Sequence, residues 1–370
     1  MNNVLKYHPT VCAVGNTYQI MITTWCNALL SVRVGNKVYY NHSNGIRISS
    51  AGVQRFVIPM EKLDKECSYT VISQGMMERC PYFPKTREKV ETTYSFKPLE
   101  KTENINICHL ADVHGYSEQA VKVAEYTGKE IDLLILNGDI SSSSNTVDDI
   151  TLCYEITGNI AKGEIPCIIS RGNHDLRGYL AETVTNYMPT QNGKSYYTFK
   201  VGCIWGIVID TGEDKLDSEP AYGETICCHE FRLEEDEMIK EVIKNSASEY
   251  EREDIKYKII VSHVPFTFPR SPLFDIERDL YTNWSNLLKE NVKPQLMLCG
   301  HTHKACISEA GSEYDKYGQP CTIIVGSEMD DTKTELNKLV IGALINLNDT
   351  YADVVFNNMN EITGGGKVEF

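Results

Sequence analysis

Hydrophobic and polar positions follow two different rhythms along this 370-residue chain. In the first hundred residues, Thr17 to Thr24 (TYQIMITT), Leu29 to Val34, Lys37 to Asn41, Val53 to Met60 and Tyr69 to Ser73 have strand length, with almost no helical period between them. Val34-Gly35-Asn36-Lys37 supplies a tight-turn signal between two of these runs, and the spacing predicts a small antiparallel β-sandwich over residues 1–100. A polar stretch with a proline, Lys97 to Asn104 (KPLEKTEN), marks the boundary. Beyond it, over 101–370, the runs become nearly continuous: Ile105 to Ala111 (INICHLA), Asp132 to Asn137 (DLLILN), Cys167 to Ser170, Lys258 to Ser262 and Gln295 to Cys299. Apolar runs of this kind, separated by helix-length stretches, predict buried parallel strands of an α/β domain.

The remaining pattern predicts a second sheet. Ser195 to Lys200 and Ile204 to Asp210 begin it, a helix follows from about Arg232 to Lys244, and Cys321 to Gly326, Leu339 to Asn346 and Ala352 to Phe356 complete it. The tail Thr363 to Lys367 (TGGGK) reads as frayed. A polar, proline-containing loop, Glu213 to Thr225, and a second loop, Pro265 to Leu273 (PFTFPRSPL), are expected to border a substrate pocket.

Chemistry is concentrated at the ends of the apolar runs. Asp112-Val113-His114, Gly138-Asp139, Gly172-Asn173-His174-Asp175, Ser262-His263 and Gly300-His301-Thr302-His303 each begin within a few residues of a run's end. The carboxyl edge of an open α/β sheet is where ligands bind. Asp112 and His114 stand two apart, so an extended chain points both the same way. Mixed carboxylate and imidazole donors suit Zn, Fe, Ni or Mn, and two such ions about 3.5–4 Å apart polarise a phosphoryl oxygen and hold a hydroxide for in-line attack.

In order and type, the five segments resemble the calcineurin-like metallophosphoesterase family: D-x-H, GD, GNH(D/E), H, GHxH. The resemblance implies a two-sheet metallophosphoesterase sandwich flanked by helices, and the all-β region before it is similar in arrangement to the fibronectin type III-like domain of purple acid phosphatases. It implies two divalent or trivalent metal ions, Mn, Fe or Zn. Asp112, His114, Asp139 and His303 would hold one, and Asp139, Asn173, His263 and His301 the other. Asp139 bridges. His174 is implied as proton donor to the leaving oxygen, and Asp175 as the partner that fixes its tautomer. The implied reaction is hydrolysis of a small phosphate monoester or diester by a metal-bridging hydroxide. Nuclease or cyclic-nucleotide phosphodiesterase activity, and a metal-free binding module, are the alternatives. Ser142 stands where purple acid phosphatases carry a tyrosine ligand, and Arg171 lacks the valine-aspartate-arginine-glycine context of phosphoprotein phosphatases, so the chain is expected among the generic members.

Composition adds limits. Fifty-one acidic against 36 basic residues give a net charge of −15, which disfavours sequence-independent nucleic-acid binding. No apolar run reaches the ~18 residues of a membrane span, and Met1 to Thr10 lacks a signal-peptide pattern, so a cytoplasmic location is expected. The thirteen cysteines form no C-x-x-C pair and read as reduced thiols. Five of the nine histidines lie in the motifs; His109, inside the first run, reads as packing.

Overall fold

In a computed structural model, residues 4–269, 271–315, 317–329 and 340–370 are described. Arg270 in the second expected loop and Leu339 at the start of an expected strand lie outside these residues. Four layers stack as helix, sheet, sheet, helix. The larger sheet runs in the order Ile362–Glu369, Tyr351–Asn357, Val340–Leu347, Ile105–Leu110, Leu133–Asn137, Pro166–Ser170, Thr10–Val14, Thr17–Thr24, Gly52–Pro59. The second runs Tyr197–Val201, Ile204–Ile209, Tyr257–Ser262, Leu296–Cys299, Thr322–Val325, Cys306–Ser308. As the apolar runs predict, the strands that lead into the five motifs are parallel within each sheet.

Side-chain alternation fills the layers. Ile105 and Ile107 face the core between the sheets with Ile259, Val261 and Leu298, while Cys108 and Leu110 face the helices Ser117–Tyr126 and Val147–Ile160. On the far side, Ile207, Ile260 and Met297 pack under Cys228–Lys244 and Arg278–Leu287 through Trp284, which is fully buried. His109 lies in the inter-sheet core, where Asn137 Nδ2 is 3.1 Å from its Nε2. Burial pushes its imidazole down to about 3, so it stays neutral.

Two expectations about the C-terminal strands are corrected. Val340–Leu347 and Tyr351–Asn357 belong to the first sheet, where Val340–Leu347 pairs antiparallel with Ile105–Leu110. The pattern shows that these segments are strands, but the open edge at Ile105–Leu110 decides which sheet takes them. The tail is not frayed: Ile362–Glu369 is a strand on Tyr351–Asn357. Its glycines follow from close approach, since a Cβ on Gly365, at φ +142°, would meet Val354 O at 2.2 Å.

The N-terminal region is an all-β sandwich whose halves have different owners. One half is a four-stranded sheet, Lys37–Tyr40, Ala28–Val34, Ser68–Glu78, Lys85–Ser95. The Gly35-Asn36 turn joins its first two members as the sequence predicts, Val34 pairing with Lys37. The other half is Thr10–Val14, Thr17–Thr24 and Gly52–Pro59, and Thr10–Val14 pairs parallel with Pro166–Ser170. The change of texture at 97–104 is therefore not a break in the hydrogen-bonded sheet. Arg55 donates to Thr185 O (2.7 Å) and Thr190 Oγ1 (2.8 Å), and Gln19 Nε2 donates to Thr190 O (2.6 Å). A fragment of residues 101–370 should lose an inner strand's partner and much of the shared core, giving an insoluble or molten product. Soluble expression with native-like near-UV circular dichroism would contradict that outcome.

Candidate metal centre

The five motifs come together where the two sheets present their carboxyl ends. Asp112, His114 and His303 place ligand atoms within 4.8 Å of one another, and so do Asp139, His263 and His301. His114 Nε2 and His303 Nε2 face each other at 3.2 Å, and His303 Nε2 is 3.3 Å from Asp112 Oδ1. His263 Nε2 lies 3.1 Å from Asp139 Oδ2 and 3.7 Å from Asp112 Oδ1, so one imidazole joins the two groups. Asn173 adjoins the second, its side-chain amide 3.0 Å from His301 Nδ1.

Backbone geometry aims these side chains. Asp112, His114, Asp139, His301 and His303 all adopt positive φ, between +45° and +68°. A non-glycine residue held there costs of order 1–3 kcal/mol and persists only when its surroundings fix it. The surroundings are the neighbouring turns: Asp112 N–H donates to Gly138 O, His114 N–H to Asp139 O, and Gly300 N–H to His263 O. Motif glycines allow the approach. A Cβ on Gly172 would sit 2.2 Å from Asp139 Oδ1, and one on Gly300 would sit 2.6 Å from Asp112 Oδ2.

Each carboxylate spends one oxygen on anchoring and leaves the other facing inward. Asp112 Oδ2 accepts from His301 N–H (2.8 Å) and from the Ser327 hydroxyl, while Asp139 Oδ1 accepts from His174 N–H (2.8 Å). His263 Nδ1 lies 2.7 Å from Asn137 O, a carbonyl that only accepts, so Nδ1 carries a proton and Nε2 faces the carboxylates. Asp112 Oδ1 and His263 Nε2 are buried without a hydrogen-bond partner, the Asp139 contact being out of line for one. Burial alone would lower the His263 imidazole, yet the Asp139 and Asp112 charges push it up to about 10. The cleft thus draws positive charge to the point where lone pairs converge, and its imidazole, carboxylate and amide donors fit a transition-metal ion.

Among the described residues, all seven expected ligands are in or beside these two groups. His174 lies at the rim, its ring 5.0 Å from that of His114. The expectation for Asp175 is corrected. Its carboxylate turns inward to accept from Gly172 N–H (2.7 Å) and Asp139 N–H (3.3 Å), and burial with the Asp139 charge pushes it up to about 7. The tautomer of His174 is set instead by Ser142 O, 3.0 Å from Nδ1, leaving Nε2 beside Arg177 Nη1 at 3.2 Å.

Four participants escaped the sequence reading. Arg177 is held by two bonds to the buried Glu213, 2.6 and 2.7 Å. Asp214 Oδ2 stands 3.6 Å from His301 Nε2, on the side of the ring away from Asn173. Ser327 anchors Asp112. Asn137 ties the sheets together, donating to Leu298 O (2.9 Å) and accepting from Ser170 Oγ (2.6 Å) while its carbonyl holds His263. Asp214 alone lay in a segment expected to border the site.

With that geometry in place, comparison with known proteins is decisive about family. A family model described as calcineurin-like phosphoesterase matches residues 105–305, which covers all five motifs. The chain belongs to the calcineurin-like phosphoesterase family. It is accordingly a metal-dependent phosphoester hydrolase. No curated protein matches the chain. Among solved structures, the fold is shared with a purple acid phosphatase, PPD1, isolated from yellow lupin (Lupinus luteus) seeds, at 9% identity and TM-score 0.57, over 98% of this chain and 74% of that one. It is shared also with PhoD, at 11% identity and TM-score 0.55, over 100% and 90% of the two chains. Both likenesses establish the two-sheet sandwich with its preceding all-β region. No helix among the described residues is long and apolar enough to cross a membrane.

Carboxylates behind ligating histidines typically matter about 10–100-fold in metal affinity. Asp214→Asn should weaken retention of one of two manganese ions by about that factor, followed by competition with a chelator; unchanged affinity for both ions would refute this role of Asp214. Gly172→Ala should displace Asp139 and cost both metal binding and several degrees of melting temperature, read by metal analysis and calorimetry.

Proposed function

We propose that this esterase hydrolyses a small phosphate monoester or diester at a dinuclear centre. One ion is held by Asp112, His114, Asp139 and His303, the other by Asp139, Asn173, His263 and His301. The observation that carries the proposal is two adjacent donor groups, each holding one buried atom without a hydrogen-bond partner, Asp112 Oδ1 in the first and His263 Nε2 in the second, 3.7 Å apart. Bound ions of this class polarise phosphoryl oxygens and lower the pKa of water towards roughly 7. Mn, Fe and Zn all suit the donors, and Ser142 in place of a tyrosinate gives a colourless site.

The protein's own groups do the rest. His174 acts as the imidazolium, giving the leaving oxygen its Nε2 proton while Nδ1–H stays on Ser142 O, and Arg177 Nη1, which only donates, turns from Nε2 to the phosphoryl oxygens. Arg177, fixed by Glu213, presents positive charge beside His174 for the phosphoryl oxygens. Asp175 holds the turn that carries Asn173 and His174 and takes no part in the proton transfer. The excess of acidic residues argues for a small substrate over a nucleic acid, and buried thiols such as Cys12, Cys153 and Cys167 favour a reducing, cytoplasmic setting.

Manganese-reconstituted protein should turn over a chromogenic phosphate monoester or its matched diester. His174→Ala should lower kcat by about 10²–10⁴-fold with two ions still bound per chain. Diester preference would identify a phosphodiesterase and monoester preference a phosphatase. Two bound ions with neither ester cleaved would sink the proposal for small esters.

A further inference from the structure

Next to the metal centre lies a cavity of about 480 Å³ that the protein leaves unfilled, and its walls differ from the centre itself. His301 and Asp214 form the end that joins the two. Most of the remaining wall is apolar, with Pro265, Phe268, Pro269, Phe274 and Tyr314, while Ser271, Thr302 and Lys304 add polar groups. Phe268 and Tyr314, both lining the cavity, stack on each other at 5.4 Å with an interplanar angle of 20°. Phe268 is 6% exposed and its N–H bonds to Pro265 O, while the Tyr314 hydroxyl accepts from Lys304 Nζ at 2.9 Å. Phe274 also lines the cavity, with Lys215 Nζ 4.8 Å from its ring and 3.1 Å from Asp214.

A phosphate alone has no use for such a surface. Apolar side chains around an open, pre-formed hollow are favourable only when apolar matter covers them, at roughly 25 cal/mol per Å². The centre at one end accepts the anionic phosphoryl group, so the occupant of the other end is attached to it. Resting on the esterase reading above, we infer that the organic portion of the substrate carries a flat apolar group, an aromatic ring or its equivalent, which lies in the hollow lined by Phe268, Phe274 and Tyr314. Both loops expected to border the pocket contribute: Glu213 to Thr225 through Asp214, and Pro265 to Leu273 through Pro265, Phe268, Pro269 and Ser271.

The test compares esters of matched alcohol reactivity, ethyl and 2-phenylethyl, in whichever class, monoester or diester, the enzyme cleaves. Wild-type kcat/KM should favour the phenylethyl ester by about tenfold or more, the range that apolar pockets give for a buried group. Phe268→Ala should bring the ratio of the two substrates close to one. Ser271→Trp is an exposed substitution at the cleft wall that leaves the core intact, and it should also collapse the ratio by filling the hollow. A second readout is independent of turnover: calorimetric titration of manganese-loaded protein with ethylphosphonate and 2-phenylethylphosphonate. Tighter binding of the phenyl compound that is lost in Ser271→Trp supports the inference even where no ester is cleaved, in which case only the esterase reading fails. Equal handling of both members of each pair by the wild type, or a preference that survives Ser271→Trp, overturns the inference.

Discussion

Two carboxylates that share a nearly dry pocket impose the constraint on which this protein is built. Asp112 and Asp139 are each 1% exposed, and His263 Nε2 lies 3.7 Å from one and 3.1 Å from the other. Like charges in a low-dielectric pocket repel strongly, and burial penalises each on its own. The pocket offsets this with N–H donors from His301 and His174 and the Ser327 hydroxyl, and with the positive charge that His263 or bound cations supply. Donors on the outer oxygens leave the inner oxygens facing the candidate site, Asp112 Oδ1 without a hydrogen-bond partner. A cation bound there would relieve a strain that folding itself sets up, linking metal affinity to fold stability through the same atoms.

That linkage explains the local backbone. Five of the seven candidate ligands sit at positive φ, and the glycines beside them permit approaches that any Cβ would block. Such turns are unfavourable in isolation, and the two sheets make them possible by presenting strand ends at fixed spacing. Asn137 is the fastener. Its side chain bridges from Ser170 in the larger sheet to Leu298 in the second, and its carbonyl accepts from His263 Nδ1. With His109 kept neutral beneath it, the inter-sheet core under the candidate site is a polar layer in an otherwise apolar space, bonded through His109 Nε2 while Nδ1 is buried without a partner.

How much of this the sequence discloses depends on where the information resides. Ligand identity and spacing are written in the residues, so the five motifs were legible, and continuous apolar runs announced the parallel strands that carry them. Sheet membership is not written there, because backbone groups alone make the pairing. Val340–Leu347 was thus legible as a strand but not as a partner of Ile105–Leu110, and Lys85–Ser95 and the glycine-rich Ile362–Glu369 gave no apolar signal at all. Asn137, Arg177 and Ser327 were hidden for a related reason: each acts by contact across a long sequence distance. Asp175 was misassigned because adjacency to His174 says nothing of side-chain direction. A tight turn sends it inward to the Gly172 and Asp139 amides, while His174 turns outward.

The N-terminal hundred residues show how far the site's support extends. Thr10–Val14 lies beside Pro166–Ser170, the strand that delivers Asn173 and His174, and Arg55 and Gln19 reach across to brace the segment from Thr185 to Thr190. An appended module would leave that strand at a sheet edge, free to fray. Here it is an inner strand, and the turn carrying Asn173 and His174 inherits its rigidity. Geometry at a two-metal centre tolerates little displacement, since about 1 Å of misplacement can cost on the order of 10²-fold in rate. The all-β region therefore belongs to the catalytic scaffold in mechanical terms, whatever else its outer sheet contacts.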